Sequence, residues 1–218
     1  MPATSQARRV MVDNQIRTFD VTDREVLAAF DAVERHLFVP EAERAAAYSD
    51  KRIALGGGRS LLVPLVLARL VQALQPTAGE SALDLFGGLG YSAAILAHLG
   101  LDVTMLEPDA GLSAAAKAAL AGAKIPVKTA TGAVSADGVT GVSGSFDVIL
   151  VNGATEREPK GLFPLLKEGG RLGIVRRKGV AAHAEVWLKT NGVVSARMAF
   201  DAQAPVLPGF ANVPGFAF

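Results

Sequence analysis

The residues with the most chemical promise lie between Asp84 and Glu107. An apolar strand, Ala82-Leu83-Asp84-Leu85-Phe86, runs into Gly87-Gly88-Leu89-Gly90, and a helical pattern follows from Tyr91 through Ala97. A second apolar strand, Val103–Leu106, then ends in Glu107. Glycines let the backbone approach a ligand closely, and a helix N-terminus offers free amide donors. An acid at the end of the next strand can accept hydrogen bonds from ribose hydroxyls. Two adenosine-bearing cofactors suit this arrangement. Gly88-Leu89-Gly90-Tyr91-Ser92-Ala93 satisfies the dinucleotide pattern with alanine in third place, which suits NAD. Asp84 before Gly88 and Gly90 suits S-adenosylmethionine, whose cationic methionine end an acid there would help to hold. A strand-to-helix turn also needs glycine for steric reasons alone, so the loop by itself is weakly specific.

Three features favour S-adenosylmethionine. Asp84 lies where a pyrophosphate would not tolerate a negative neighbour. A leader of about eighty residues precedes the strand, whereas a dinucleotide fold often starts with it. A further strand, Phe146–Val151, ends in Asn152-Gly153-Ala154 and so puts a polar side chain at the carboxyl rim, where α/β sheets bind ligands.

The elements that must position these residues follow from periodicity. Val26, Leu27, Phe30, Val33 and Leu37 recur at helical spacing, and Thr22 with Glu25 reads as a capping box that opens this helix. A short helical turn follows Pro40, the run Gly56-Gly57-Gly58 ends the leader, and Pro64 starts a helix through about Gln75. Strands then alternate with helices: 126–130 is a third strand, 146–151 a fourth, 159–166 a helix and 170–175 a fifth strand. That alternation predicts a doubly wound, mostly parallel α/β sheet with a helical N-terminal addition. Residues 184–188 and 193–200, joined across Asn191-Gly192, predict a C-terminal antiparallel hairpin. The tail, with Pro205, Pro208, Pro214, Phe210, Phe216 and Phe218, is expected to pack back on the body. The organisation reads as one domain over 1–218: leader and loop to 75, cofactor-binding core 76–178, terminal strands and tail 179–218.

Composition narrows the chemistry. The chain has 218 residues, 22 Lys+Arg against 21 Asp+Glu, no cysteine and 50% hydrophobic residues. A chain of this size buries about 70% of its unfolded surface, so a core needs no metal or disulfide. Lack of cysteine excludes disulfides, thiolate metal sites and thiol nucleophiles. His36, His98 and His183 show no metal-ligand spacing, so no metal is expected. A net charge of +1 gives no general field for nucleic acid or membrane. Met1–Asp20 lacks the apolar centre of a signal peptide, and the run Leu61–Leu74 is broken by Pro64 and Arg69 and short of the ~20 residues a spanning helix needs. A cytoplasmic location is expected, and oligomeric state is left open. His36 reads as a hydrogen-bonded structural residue, Arg176-Arg177-Lys178 as solvated charge, and Trp187 as core.

Beyond the loop, the leader Met11-Val12-Asp13-Asn14-Gln15-Ile16, the segment Val33–Pro40, Ala47-Tyr48-Ser49-Asp50 and the turn Glu168-Gly169-Gly170-Arg171-Leu172 resemble protein-L-isoaspartate (D-aspartate) O-methyltransferases. The resemblance spans nearly the whole chain. It implies an S-adenosylmethionine-dependent fold, with Asp84, Gly87, Gly88, Gly90, Tyr91, Glu107, Gly132, Ala133 and Asn152 on the cofactor. The implied partners are damaged proteins or peptides bearing isoaspartyl carboxylates. The family's substrate segment, Gly-any-Gly-Gln-Thr-Ile-Ser-Gln-Pro, reads Gly56-Gly57-Gly58-Arg59-Ser60-Leu61-Leu62-Val63-Pro64 here. Ser60 therefore takes the threonine position and keeps a hydroxyl as the catalytic candidate, while Leu62 stands where the family has its active-site serine. Arg59 and Leu62 fall in the substrate-binding loop, and Arg59 is expected either to meet the carboxylate in a paired contact or to be solvated. Phe86 replaces the cofactor loop's first glycine. Gly132-Ala133 replaces a Gly-Asp pair that addresses adenine, leaving only backbone donors. Two rivals stand beside this reading. One is a cofactor-binding module of the same fold that has lost transfer, supported by Phe86, Leu62 and Ala133. The other is an NAD-linked oxidoreductase, supported by the Gly88–Ala93 pattern. Placed at a ligand rim, Glu107 is expected to matter for cofactor affinity and little for stability.

Overall fold

The structure, a computed structural model, describes residues 3–212. The leader forms α1 (Ala3–Met11), continued by a wider turn to Ile16, and α2 (Arg24–Ala32). The cap of α2 is Asp23 rather than Thr22: its carboxylate accepts from the amides of Glu25 and Val26 at 2.9 and 3.1 Å. Gln72 Oε1 takes the amides of Thr22 and Asp23 instead, tying the start of α2 to the helix that begins at Pro64. Two short 3-10 turns, at 35–38 and 41–46, precede a hairpin that the sequence analysis did not foresee. Strands β1 (Ala54–Gly56) and β2 (Arg59–Ser60) pair across the glycine run. Next, α3 (Pro64–Leu74) starts on its proline, whose missing N–H costs nothing in the first turn, and buries Leu67, Leu70, Val71 and Leu74.

The core then follows the expected alternation: β3 (Ser81–Leu85), α4 (Tyr91–His98), β4 (Asp102–Leu106), α5 (Ala110–Gly122) and β5 (Lys128–Ala130). A small hairpin of β6 (Val134–Ser135) and β7 (Gly138–Val139) leads to β8 (Phe146–Thr155). Residues 160–165 form a 3-10 turn rather than the expected helix, because Pro164 inside the segment cannot donate the bond an α-helix requires. The chain ends in β9 (Leu166–Lys178), β10 (Ala181–Thr190) and β11 (Val193–Asp201).

Seven strands form one sheet in the order β11-β10-β9-β8-β3-β4-β5. The pairs from β5 across to β9 are parallel, and β9-β10-β11 are antiparallel, so the mostly parallel sheet with a C-terminal antiparallel hairpin is as expected. Asn191 and Gly192 both take positive φ, 52° and 76°, as a two-residue hairpin turn demands. The winding reverses between β3 and β8, the place where open α/β sheets bind ligands. Register does the positioning. Leu85 pairs with Leu106 on one side and Val151 on the other, so Phe86 and Glu107, just past their strands, and Asn152 within β8 stand side by side.

Alternation along the strands splits the core in two. Val148 and Leu150 of β8 face a large cluster with Phe30, Leu67, Ile95 and Leu120 from the helices. Ile149 and Val151 face a smaller cluster with Phe86, Leu162, Trp187, Leu207 and Phe210. The described part of the tail closes this second face: Ala154 N–H donates to the Pro205 carbonyl at 2.8 Å, and Phe210 is fully buried. Pro214, Phe216 and Phe218 lie outside the described residues. No described helix is long and apolar enough to cross a membrane, and the described residues hold no group of three or more His, Cys, Asp or Glu that could bind a metal.

Candidate cofactor and acceptor site

Asp84 lies near the end of β3, just before the glycine loop, and is wholly buried. Ser92 Oγ donates to one of its oxygens at 2.8 Å and Asn152 Nδ2 to the other at 2.7 Å. Asn152 also donates to the Leu85 carbonyl at 3.0 Å, which fixes its amide across the rim. Burial pushes the Asp84 carboxyl up to about 7, repulsion from Glu107 adds to the rise, and the two side-chain hydrogen bonds oppose it. Gly87 allows this close approach, since a Cβ there would lie 2.6 Å from Asp84 Oδ2.

Glu107 is also wholly buried, and its four acceptor positions are taken. The amides of Gly88 and Asp109 donate to it at 2.8 and 3.0 Å. Arg59 grips both oxygens in a fork: Nη2 reaches Oε2 at 2.7 Å, and Nη1 bonds Oε1. The Arg59 side chain is only 9% exposed. Its Nη2 also donates to the Phe86 carbonyl at 3.2 Å, and its guanidinium lies 5.0 Å from the centre of the Phe86 ring. Phe86 in turn meets Phe210 edge-on at 5.8 Å. Of the two expectations for Arg59, solvation is excluded and the paired contact is found, but with Glu107 of the same chain. The expectation that Glu107 matters little for stability rested on an exposed rim position, whereas the structure buries it completely in a pair with Arg59.

The hairpin β1–β2 lies on the glycine loop. Gly88, at φ 60°, has Leu55 Cδ1 within 2.6 Å of where a Cβ would stand. Gly90 caps the start of α4. A cleft of about 560 Å³ opens beside Glu107, lined by Leu55, Arg59, Phe86, Pro108, Asp109 and Ala133 among others. A second cleft of about 330 Å³ lies on the hairpin's other side, lined by Arg52, Ser60 and Pro205, with Gly56 and Arg59 shared between the two. A cleft of about 390 Å³ between the leader helices shares no residue with either.

Other predicted residues fall less simply. Ser60 is buried and its Oγ has no hydrogen-bond partner among the described residues. Leu62 is 4% exposed and packs in the larger core, so it does not line the described clefts. Tyr91 is a correction: its ring points into the core between Phe30 and Phe38, away from the cleft, and only its backbone stays near the loop. Of the backbone donors expected at Gly132-Ala133, the Ala133 N–H is already taken, donating to Thr140 Oγ1 at 2.9 Å. His36 bonds the Tyr48 hydroxyl at 2.8 Å and Trp187 stacks near Phe163, both as structural residues.

Sequence reasoning gave no role to Arg35, which is completely buried. Its Nε and Nη2 donate to the carbonyls of Ala47 and Leu62 at 2.9 Å each, and its guanidinium lies 4.6 Å from the Tyr91 ring centre. It fixes the backbone of the substrate segment. Its only trace in the sequence is its place within Val33–Pro40. Ser92 was likewise given no role, although a residue in the first turn of the helix after a glycine loop faces the strand end that carries Asp84.

The profile of the family described as protein-L-isoaspartate(D-aspartate) O-methyltransferase matches residues 6–199. A protein-L-isoaspartate O-methyltransferase of Methylorubrum extorquens (strain PA1) is 36% identical over 174 residues, covering 79% of this chain and 75% of that one. One of Methanoregula boonei is 35% identical over 195 residues, covering 86% of each. A solved structure from Plasmodium falciparum, described as a protein-L-isoaspartate O-methyltransferase in complex with S-adenosyl-L-homocysteine, superposes with a TM-score of 0.78 at 21% identity. It covers 93% of this chain and 98% of its own, and at that identity it speaks for the fold. Profile and relatives bear out the resemblance read from the leader and the loop: this chain belongs to the protein-L-isoaspartate (D-aspartate) O-methyltransferase family.

Proposed function

We propose that the protein transfers a methyl group from S-adenosylmethionine to isoaspartyl carboxylates of damaged proteins or peptides. The observation that carries this is the register of β3 against β4 and β8. It gathers the glycine loop, Glu107, Asp84 and Asn152 at one rim, beside a cleft of about 560 Å³. The residues fit the cofactor: a carboxylate at the end of β4 for ribose hydroxyls, a glycine loop under its chain, and the buried Asp84–Asn152–Ser92 cluster near its cationic end.

When bound, the cofactor would supply a sulfonium methyl whose carbon a carboxylate oxygen attacks in line, the C–O bond forming as the C–S bond breaks and the neutral thioether leaves. The protein's own task is then placement. A carboxylate with a pKa near ~4 is ionised at neutral pH, so no general base is required. Proximity and orientation supply up to roughly 7–11 kcal/mol in favourable cases. The side chains of Leu55, in the hairpin, and Leu61, just after it, lie against Gly88. Ser60 offers the segment's one hydroxyl. Leu62, at the position of the family's serine, packs in the larger core and offers none, and an unmade hydrogen bond costs ~1–3 kcal/mol.

The test is turnover on an isoaspartyl peptide for the natural protein and for Leu62→Ser. A serine, small enough to turn its hydroxyl from the core toward the cleft beside Ser60, should raise turnover by roughly one to two powers of ten, at about 1.4 kcal/mol per tenfold. Lower turnover in a folded Leu62→Ser protein would show that the leucine is adapted to the reaction. No turnover in either, with cofactor bound, would favour the module that has lost transfer.

A further inference from the structure

Two departures from the family's pattern, Arg59 and Phe86, meet in space. Arg59 stands where the family has glutamine and Phe86 where it has glycine. The ring of Phe86 is the platform on which the Arg59 guanidinium lies, and the Phe86 carbonyl accepts a hydrogen bond from Arg59 Nη2. Phe86 holds φ 56°, a conformation suited to glycine, so the chain retains a strained backbone to present this ring.

Glu107 is filled. Oε1 accepts from Arg59 Nη1 and the Asp109 amide, and Oε2 from Arg59 Nη2 and the Gly88 amide. A carboxylate has about four acceptor sites, so a ribose hydroxyl can bond Glu107 only by displacing a donor. The two amides are fixed by the loop and by the chain entering α5. Arg59 comes from a two-stranded hairpin on a long, flexible side chain, and is the donor that can leave. A guanidinium so little exposed then needs another anion, since an unpaired buried charge is strongly disfavoured. Arg59 borders both clefts, and the second one holds Arg52 and Ser60 with no acid among its lining residues. Arg52 has no hydrogen bond or ion pair among the described residues.

We propose that Arg59 competes with the cofactor's ribose for Glu107 and, once displaced, turns to the cleft beside Ser60 and Arg52 to bind the substrate's carboxylate. The cofactor must therefore bind first, and its binding completes the acceptor site. The proposal rests on the methyltransferase reading and deepens it, because it makes Arg59 the residue that couples the two ligands.

Calorimetry with S-adenosylhomocysteine and an isoaspartyl peptide tests it, on the natural protein and on Arg59→Gln, which restores the family residue. Arg59→Gln should bind S-adenosylhomocysteine about tenfold more tightly or better, because a closed state populated at about 90% weakens apparent affinity tenfold. The natural protein should bind peptide only with S-adenosylhomocysteine present, and Arg59→Gln should bind it about tenfold more weakly under the same conditions. Thermal unfolding checks that the variant is folded. If it is not, Arg59→Lys, which keeps the charge and loses the fork, should show both changes in smaller measure. Unchanged or weaker S-adenosylhomocysteine binding in the variant would overturn the competition. Tighter cofactor binding with unchanged peptide binding would overturn the hand-over to substrate. If neither protein bound S-adenosylhomocysteine, the proposed function would fall, and the competition with it.

Discussion

Phe86 carries a left-handed backbone that costs a bulky residue about 1–3 kcal/mol, and burial of its ring against Phe210 offsets that cost. Truncating a buried Phe loses ~3–5 kcal/mol, while glycine would relieve about 1–2 kcal/mol of strain. Phe86→Gly should therefore destabilise the protein by about 2 kcal/mol in urea denaturation. A stabilised variant would mean that the ring contributes little. Glu107→Ala should be worse, by about 3–5 kcal/mol, because it leaves the Arg59 charge buried without a partner. Cofactor affinity should fall with it, and the same denaturation experiment, with and without S-adenosylhomocysteine, reads both effects. The glycine loop and its two acids were legible because ligand chemistry dictates residue type there. The fork between Arg59 and Glu107 was not, since 48 residues separate the partners and no spacing rule joins a hairpin to a distant strand end.

Elements were legible wherever one local rule dominated. Pro64 opened α3, Asn191-Gly192 turned the last hairpin, and the alternation of apolar runs gave the parallel strands. Reading failed where two signals competed. Thr22 and Asp23 both suit a helix start, and tertiary contact decided between them: Gln72 took the amide of Thr22 and left the cap to Asp23. Asp23→Ala should cost about 1 kcal/mol of stability, as helix-capping losses generally do. Thr22→Ala should stay within about 0.5 kcal/mol, as for surface positions without such a role. Equal losses for the two in thermal unfolding would contradict this assignment. Hairpin β1–β2 was illegible because its strands have three and two residues, too few to show alternation.

Buried charge also shapes how the protein as a whole responds to pH. Asp84 is pushed from an ordinary 3.8 to about 7, so the folded state keeps a proton that the unfolded chain releases. Its effect on stability therefore falls as pH rises from about 4 to 7. Asp147 behaves oppositely: burial works against its ionisation, but hydrogen bonds from Lys167 and Ser81 outweigh that and hold its carboxyl at about 2. Its contribution is present above about 4 and is lost as pH falls toward 2. Asp84→Asn keeps the bond accepted from Asn152 and reverses the other, its amide N–H donating to Ser92 Oγ. It should remove the decline between pH 4 and 7, and urea titrations across that range would show it. An unchanged pH profile would mean that Asp84 is ionised in the folded protein.

The family's whole-chain pattern set the fold and cofactor at the outset, while the substituted loop positions left the acceptor to be argued from structure. The central claim is that this rim transfers methyl to an isoaspartyl carboxylate. It is tested most directly by labelled S-adenosylmethionine offered with an isoaspartyl peptide and with its ordinary aspartyl counterpart. The account predicts slow labelling of the isoaspartyl peptide alone, as a methyl ester lost in mild base. Equal labelling of both peptides, or label that survives base, would contradict it.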